Sequence, residues 1–538
     1  MKETVASQII AILQRQGVEH IFGIPSGYFI PYMDAMRSRG MEFVLVANEA
    51  SAGFMATVYA WLKKVPGVCY ATIGPGATNL STGVGGALLD KAPVIAFTSE
   101  PSDAYNHRTI QMAIDQQALF KPLVKWTTRL HPSAIDHVFH KALHVALSEQ
   151  PGPVHIGLPD ETEHVLVTKT DFPRIQKAHV ASSDQHSLNT MQKLFQKATL
   201  PVLAVGLTAV RLGLGAMIKE LAEKHNIPVV LTPMAKGILS EDHPSYAGVL
   251  FHALSDTVAQ TYNQADMVIG VGYDPVEFNY ESWIPKAQLI HIDTVPVDID
   301  TDYVSGVLSV VGDPAAALTV LKECEQIKSG WDMEAVRKRT DAMFAAFKPK
   351  EGSFGPLAVI EDLRNALPDD GIMSCDVGSH THLIGQAWRT PDIYTQIMTN
   401  GWSSMGFGVP AAIGAKIACP DKAVACITGD GGFMMMVGEM ATAKRLNKNI
   451  VFVVLVDHSL ELIKLKQAQK NVAPYGVELT DEKESAHRSF FGVPVMEART
   501  RPAFQKALAF AFAQEGPVVI EAYIDPSEYK DLILRKHR

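Results

Sequence analysis

The chain has 538 residues, of which 47% are hydrophobic and 20% charged, and its formal net charge is −9; this length exceeds one hydrophobic core and predicts about three or four domains. The acidic balance without basic runs argues against nucleic-acid binding, and no apolar run reaches the length of a membrane span. Residues 1–17 lack a signal-peptide pattern and the five cysteines form no CxxC pair, so we expect a cytoplasmic enzyme with reduced thiols.

The first predicted elements belong to an α/β unit. Residues 16–25 have the pattern of a helix end, a glycine cap and a buried strand that runs into a turn. A second apolar segment ends at Val46, and Glu49 follows it at the start of a helix rich in small residues. Because a carboxylate is favoured at a helix N-terminus, Glu49 is either an ordinary capping acid or an acid with a chemical role.

Two further segments follow in the first third of the chain. Gly74, Pro75 and Gly76 form a Gly-Pro-Gly turn, which by itself is common between secondary-structure elements. Gln111 opens a segment that ends at Pro122. Its neutral amide can orient a carbonyl or hydroxyl group of a substrate, and the alternative is a helical glutamine at the surface.

Two polar stretches divide the chain into three parts. Residues 160–185 lack hydrophobic periodicity, and residues 325–355 are charged and have the composition of a linker end. The strands predicted between these stretches are 200–205, 228–231, 267–271 and 289–292. The pattern predicts three α/β domains, each a doubly wound parallel sheet, over residues 1–170, 186–330 and 355–538.

The last third carries the most informative motif. The glycine-rich segment Gly429–Phe433 contains Asp430, a helix is predicted over 438–446, and an apolar strand over 450–456 ends in Asp457. These elements form a βαβ unit, whose ligand crevice lies beyond the carboxyl ends of its strands. Two aspartates at adjacent strand ends meet the preference of Mg2+ for oxygen ligands, and the glycine N–H groups can face phosphate oxygens. For this motif alone, an ordinary Asp-Gly turn is the alternative.

Two more segments complete the pattern. Residues 375–380 end another predicted strand, and the glycine-rich segment 400–408 contains Met405. Together with the motif at Asp430 and with Glu49, they resemble the cofactor-binding segments of the thiamine-diphosphate (ThDP) enzymes of the acetohydroxyacid synthase and pyruvate decarboxylase superfamily. The resemblance covers nearly the whole chain and implies a pyrimidine-binding, a middle and a diphosphate-binding domain, in that order. The family motif usually ends in paired asparagines, whereas Asp457 adds a negative charge beside the diphosphate.

The resemblance implies a set of cofactor and metal contacts. Glu49 would hydrogen-bond N1' of the aminopyrimidine, Met405 would support the bent cofactor, and the Ser403 carbonyl would face its 4'-amino group. The implied metal ligands are Asp430, Asp457 and the backbone carbonyl of Ser459. The other implied cofactor contacts are Gly76, Ser379, His380, Gly431 and Gly432. A single histidine is more often structural than a ligand, so His380 keeps that alternative.

The substrate end departs from the catabolic acetolactate synthases of the family. Those enzymes have a lysine where this chain has Tyr28, and an arginine where it has Ala47. Tyr28 would therefore shape a pocket of different polarity, while Gln111 is the residue that would face the reacting carbon. The His-His pair of pyruvate decarboxylases is replaced by a sequence that contains only His107. A larger 2-oxo acid donor or a different acceptor is compatible with these changes.

The middle segment also bears on the cofactors. Flavin-binding synthases of the family carry an Arg-Phe-Asp pattern, which is missing from Gly272–Phe278. That segment and Trp283 instead resemble the flavin-independent catabolic acetolactate synthases, so we expect ThDP and Mg2+ but no FAD. An NAD- or FAD-dependent oxidoreductase is disfavoured because no GxGxxG turn is followed by a ribose-binding acid.

We expect a carboligase that decarboxylates a 2-oxo acid and joins the resulting enamine to a second carbonyl, from an aldehyde or another 2-oxo acid. The alternatives are a decarboxylase that releases an aldehyde, which the missing His-His pair disfavours, and a non-catalytic or regulatory homologue. Retention of Glu49, Asp430, Asp457 and Met405 argues against the last. Because the cofactor of the family lies at a dimer interface, the resemblance implies a homodimer as the minimum unit, and we expect a homotetramer.

Overall fold

The computed structural model describes residues 2–277, 286–296, 298–479 and 487–533. Trp283 and Phe278, two residues of the predicted flavin-independent pattern, lie outside these ranges. Three separate sheets, parallel except for one short antiparallel edge strand in the third and each flanked by helices, confirm the predicted three-domain α/β fold. Within the described ranges no helix combines the length and apolar character needed to cross a membrane. The five cysteines form no disulfide with one another in this structure.

The first sheet is built from the N-terminal part of the chain. This N-terminal part contains the strands β1 (Lys2–Thr4), β2 (His20–Gly23), β3 (Glu42–Leu45), β4 (Gly67–Ala71), β5 (Val94–Glu100), β6 (Trp126–Arg129), β7 (Val154–Pro159) and β8 (Leu166–Thr168). The helices are α1 (Val5–Arg15), α2 (Ile30–Arg39), α3 (Glu49–Lys63), α4 (Pro75–Leu89), α5 (Gln116–Phe120) and α6 (Ile135–Leu147). The six-stranded sheet has the order β3-β2-β4-β5-β7-β6, with all neighbours parallel.

The stretch 160–185, predicted to lack regular structure, contains one short strand. β8 pairs antiparallel with β1, so that Lys2 lies opposite Thr168. Three residues are too few to show a period of two in the sequence, which is why the pattern did not reveal this strand. This pairing holds the C-terminal end of the first domain against its N-terminal strand.

The second sheet follows. Its strands are β9 (Pro201–Val205), β10 (Val229–Leu231), β11 (Tyr246–Val249), β12 (Met267–Val271), β13 (Gln288–Asp293) and β14 (Gly306–Val311), and its helices are α7 (Gln185–Phe195), α8 (Leu207–Arg211), α9 (Gly215–His225), α10 (Ser255–Tyr262) and α11 (Pro314–Glu323). The order is β11-β10-β9-β12-β13-β14, and all neighbours are parallel. The predicted linker 325–355 in fact contains a helix, α12 (Met333–Ala346), whose buried residues Val336, Thr340 and Met343 form one narrow stripe among charged residues.

The third sheet carries the predicted diphosphate motif. Its strands are β15 (Ile372–Cys375), β16 (Gln396–Ile397), β17 (Val424–Gly429), β18 (Val451–Val456), β19 (Ser489–Phe490), β20 (Val493–Ala498) and β21 (Val518–Tyr523). The helices are α13 (Pro356–Ala366), α14 (Ser379–Ala387), α15 (Gly408–Ala418), α16 (Asp430–Met436), α17 (Glu439–Leu446), α18 (Glu461–Gln469), α19 (Arg501–Phe512) and α20 (Ser527–Leu532). The order β16-β15-β17-β18-β21-β20-β19 reverses direction between β15 and β17, and a ligand crevice is expected at such a switch point.

Helices α3 and α4 cross at unusually short distance because glycines meet at the crossing. A Cβ atom built on Gly53 would lie 2.6 Å from the Cα atom of Gly83, and one built on Gly83 would lie 2.7 Å from the Cα atom of Gly53. Side chains at these positions would therefore push the two helices apart. The crossing fixes how the first turn of α3 faces the first turns of α4.

We expect Gly53→Ala to lower the free energy of unfolding by about 1–3 kcal/mol, because it adds a methyl group where backbone atoms already touch. Chemical denaturation of the purified variant measures the change. Gly27→Ala is the matched control, since a Cβ atom at Gly27 would have no heavy-atom neighbour within 4 Å. Equal stability of the two variants would contradict the close crossing.

Candidate cofactor and metal site

A cavity of about 280 Å3 opens at the carboxyl edge of the third sheet. It lies where β15, β17 and β18 end, as expected for a switch-point crevice. The sequence-predicted residues that line it are Ser379, His380, Ser403, Met405, Asp430, Gly431, Gly432, Asp457 and Ser459. Segments far apart in the sequence therefore converge on one cavity, and every predicted site residue of the last third of the chain contributes to its wall.

Asp430 and Asp457 follow two adjacent parallel strands, in which Gly429 pairs with Leu455. The segment predicted as a glycine-rich turn is the first turn of α16, which begins at Asp430 itself. One oxygen of Asp430 accepts a hydrogen bond from the Gly431 N–H group at 2.8 Å, and the other accepts one from the His458 N–H group at 2.8 Å. The Asp430 carboxylate thus ties the ends of β17 and β18 together.

The two aspartates form a half-buried acidic pair. Burial raises the pKa of Asp430. Burial, followed by the charge of Asp430, raises the pKa of Asp457 to about 8. A divalent cation between them would remove this repulsion and favour both ionised forms. In the described part of the chain no group of three or more His, Cys, Asp and Glu side chains is arranged to hold a metal. Two carboxylates match the usual protein contribution to a Mg2+ site, whose other ligands come from backbone, water and phosphate.

Another part of the cavity wall fits an anion. Among the described residues, the buried Ser379 hydroxyl and His380 Nε2 have no hydrogen-bond partner. Burial lowers the pKa of His380 to about 4, so its Nε2 donates to an anion in the tautomer that carries the ring proton on that nitrogen. Ser379 begins α14, and Asp430 begins α16 with Gly431 and Gly432 in its first turn. The Ser379 hydroxyl and His380 Nε2, both without a partner in the first turn of α14, are suited to phosphate oxygens.

Asp376 organises this cavity, although it was not among the residues predicted to contact the cofactor. It is fully buried, and one oxygen accepts hydrogen bonds from the N–H groups of Val377 at 2.6 Å and Gly406 at 2.8 Å. The other oxygen accepts a hydrogen bond from the Thr428 hydroxyl at 2.9 Å. Asp376 therefore joins the loop after β15, the segment that carries Met405 and the end of β17. Its position directly after a predicted strand was the only available signal.

The sequence-predicted residues of the first third lie elsewhere. Glu49 begins α3, is 6% exposed and does not line the cavity, and Gly76 lies beside it in α4. Tyr28 is half-buried in a short 3-10 helix, Gly27–Phe29. Gln111 is exposed in a turn before α5. The alternative of a helical glutamine at the surface is therefore right about its exposure and wrong about the helix.

Helix α17 of the third unit braces the turn before Glu49. The buried carboxylate of Glu439 accepts hydrogen bonds from the N–H groups of Ala47 at 2.9 Å and Asn48 at 3.1 Å. Arg445 donates to the Leu45 carbonyl at 2.5 Å on the same turn. Glu439 was recognised in the sequence only as part of the motif after Asp430, because contacts across nearly 400 residues leave no local pattern.

Three protein-family profiles match the chain in order. The first is described as "Thiamine pyrophosphate enzyme, N-terminal TPP binding domain" and matches residues 3–119. The second, the "central domain" of these enzymes, matches residues 188–321, and the third, their "C-terminal TPP binding domain", matches residues 376–522. Thiamine pyrophosphate is another name for ThDP.

Full-length relatives agree with the profiles. The chain is 30% identical over 554 residues to a probable acetolactate synthase large subunit of Methanocaldococcus jannaschii, covering 97% of this chain and 92% of that protein. It is 27% identical over 545 residues to an acetolactate synthase of Bacillus subtilis, covering 98% and 94%. It is also 25% identical over 536 residues to a catabolic acetolactate synthase of Raoultella terrigena, covering 98% and 95%. The similarity thus extends through all three sheets.

Proposed function

The chain belongs to the ThDP-dependent enzymes related to acetolactate synthases, and on that premise we propose that it decarboxylates a 2-oxo acid and joins the remaining fragment to a second carbonyl compound. The observation that carries the proposal is the cavity lined both by the acidic pair Asp430 and Asp457 and by Ser379 and His380, whose hydroxyl and Nε2 have no partner. This donor set fits a metal-bound diphosphate. The donor acid, the acceptor and the use of Mg2+ are part of the proposal.

Each residue has a distinct role in this proposal. Asp430, Asp457 and the Ser459 carbonyl would hold Mg2+, while Ser379 and His380 would donate to the diphosphate together with the N–H groups of Gly431 and Gly432. Bound ThDP supplies a nucleophilic carbon at C2 of its thiazolium ring, which the side chains of this protein cannot supply. Met405 would hold the cofactor bent, Ser403 would accept from its 4'-amino group, and Glu49 would exchange a proton at N1'.

We propose that the complete site is assembled from two copies of the chain. Glu49 does not line the cavity of its own Asp430, and its own α17 braces the turn before it. A second chain related by a two-fold axis would bring Glu49 to the open side of the cavity. The minimum unit is then a homodimer, and the proposed assembly is a homotetramer in the cytoplasm.

The carboxyl edge of the second sheet supports the prediction that no flavin is bound. The order of that sheet reverses between β9 and β12, where a nucleotide would be expected. The buried Glu277 carboxylate fills this place: it accepts hydrogen bonds from the Leu207 N–H group at 2.9 Å and the Thr232 hydroxyl at 2.5 Å. Burial raises the pKa of Glu277 to about 8. A carboxyl group of the chain thus takes the helix N–H group that a phosphate would use.

The test is incubation of the purified protein with Mg2+, ThDP and a panel of 2-oxo acids, with and without aldehyde acceptors. CO2 release and product masses are followed. We expect CO2 together with ligated hydroxyketone products. Free aldehyde as the only product would show a simple decarboxylase instead, and no CO2 release despite bound ThDP would contradict both activities.

Tyr28 offers a test of the substrate pocket. We expect Tyr28→Lys to change the ratio of kcat/KM between apolar and anionic 2-oxo acid donors by about tenfold or more, because it replaces a phenol ring with a cation. Steady-state kinetics on two such donors measures the ratio. Phe491→Lys, at an exposed aromatic side chain of the third unit, is the control. An unaltered donor ratio in the Tyr28 variant would remove this residue from the substrate pocket.

A further inference from the structure

The two carboxylate oxygens of Glu49 have different surroundings. Oε2 accepts a hydrogen bond from the side-chain amide of Asn79 at 3.0 Å. Oε1 lies beside Gly76, where a Cβ atom would come within 3.1 Å of it. The amide therefore occupies one oxygen, whereas the missing side chain at Gly76 keeps the space beside the other oxygen free.

The close crossing of α3 and α4 sets this arrangement. Glu49 stands four residues before Gly53 in α3, and Asn79 stands four residues before Gly83 in α4. Residues four apart lie on the same face of a helix. The glycine contact thus brings the preceding turns together and places the Asn79 amide against the acid. Asn79 is otherwise exposed, so its bond to Glu49 is not a requirement of core packing.

We infer that Asn79 is a positioning residue, which holds Glu49 by Oε2 and leaves Oε1 to meet N1' of the aminopyrimidine. The inference rests on the proposed function. An amide N–H donor stabilises the ionised carboxylate and prevents rotation of its plane. The acid then receives and returns a proton at one defined oxygen. Asn79 acts on the reaction only through Glu49.

The test measures how fast the protein-bound cofactor exchanges its C2 proton for deuterium, by rapid acid quench and NMR, without any substrate. We expect Asn79→Ala to slow the exchange about 10- to 100-fold, the effect of losing a hydrogen bond to a charged group. We expect Asn79→Asp to slow it by about tenfold more, because a second carboxylate would face Glu49 at hydrogen-bond distance. Calorimetric ThDP affinity should stay within about threefold of wild type for both variants, since neither loses a predicted diphosphate or metal contact.

Which of the two Asn79 variants exchanges the C2 proton faster distinguishes a role in positioning Glu49 from a role that depends only on the shape of the side chain. Aspartate has the shape of asparagine, so a purely structural role predicts that Asn79→Asp retains more exchange than Asn79→Ala, and that result would overturn the inference. Asn189→Ala, at an exposed asparagine of α7, is the control and should exchange at the wild-type rate. If Glu49→Gln abolishes the exchange while both Asn79 variants keep it, only this inference fails. If Glu49→Gln leaves the exchange unchanged, the proposed function fails and the inference with it.

Discussion

Replacing Asp430 with alanine is expected to weaken Mg2+-dependent ThDP binding by about 100-fold or more, because a carboxylate ligand is lost and Asp457 is left without a partner at the metal. Asp430 is the only one of the two aspartates that also fastens the ends of β17 and β18, through the N–H groups of Gly431 and His458. Isothermal titration of the purified variant with ThDP, with and without Mg2+, measures the loss.

Asp430→Asn keeps the effect interpretable if the alanine variant folds poorly. The asparagine carbonyl can still accept one of the two backbone hydrogen bonds, while the charge that attracts the metal is gone. Asp34→Ala, at an exposed aspartate of α2, should bind ThDP as wild type does. Wild-type affinity in a folded Asp430→Asn protein would show that the metal binds elsewhere.

Glu49→Gln is expected to retain ThDP but to lose turnover by about 100- to 10,000-fold, the usual contribution of a positioned proton-transfer group. Glutamine keeps the size of the side chain and can still accept from the Asn79 amide, but it cannot exchange a proton with N1'. Glu49 is 6% exposed at the first turn of α3, and the N-cap bond of that helix comes from Asn48, whose side chain accepts from the Ala50 N–H group. The capping role therefore does not depend on Glu49.

The measurement combines substrate turnover with the exchange of the cofactor C2 proton. Both should fall together, while the calorimetric affinity for ThDP stays close to wild type. Glu334→Gln, at an exposed position of α12, is the matched control for a change from acid to amide. A Glu49→Gln protein with at least half of the wild-type exchange rate would remove Glu49 from proton transfer.

Much of the fold could be predicted because parallel strands that are buried on both faces are continuous apolar runs. The strand predicted at 267–271 has the observed bounds of β12. Predicted motifs at strand ends also converge as expected, since the carboxyl ends of parallel strands share one edge. The helix α12 could not be predicted from hydrophobic periodicity because its apolar stripe is narrow and lies among charged residues.

The supporting residues of the site could not be predicted. Asp376, Asn79 and Glu439 act through hydrogen bonds to segments that are distant in the sequence. None of them has a neighbouring residue pattern that reveals its partner, and each depends on how helices and sheets pack. The proposed cofactor contacts could be predicted because their motifs are local, whereas the residues that hold them in place are defined by tertiary contacts.

The most direct test of the central claim is the activity of a mixed dimer that carries Glu49→Gln on one chain and Asp430→Asn on the other, purified through two different tags. Each variant alone should be inactive. If the site takes Glu49 from one chain and Asp430 from the other, one site of the mixed dimer contains both substitutions and the other contains neither, so about half of the wild-type turnover per dimer should return. A mixed dimer as inactive as its parents would contradict the account, because it would mean that both residues serve a site within a single chain.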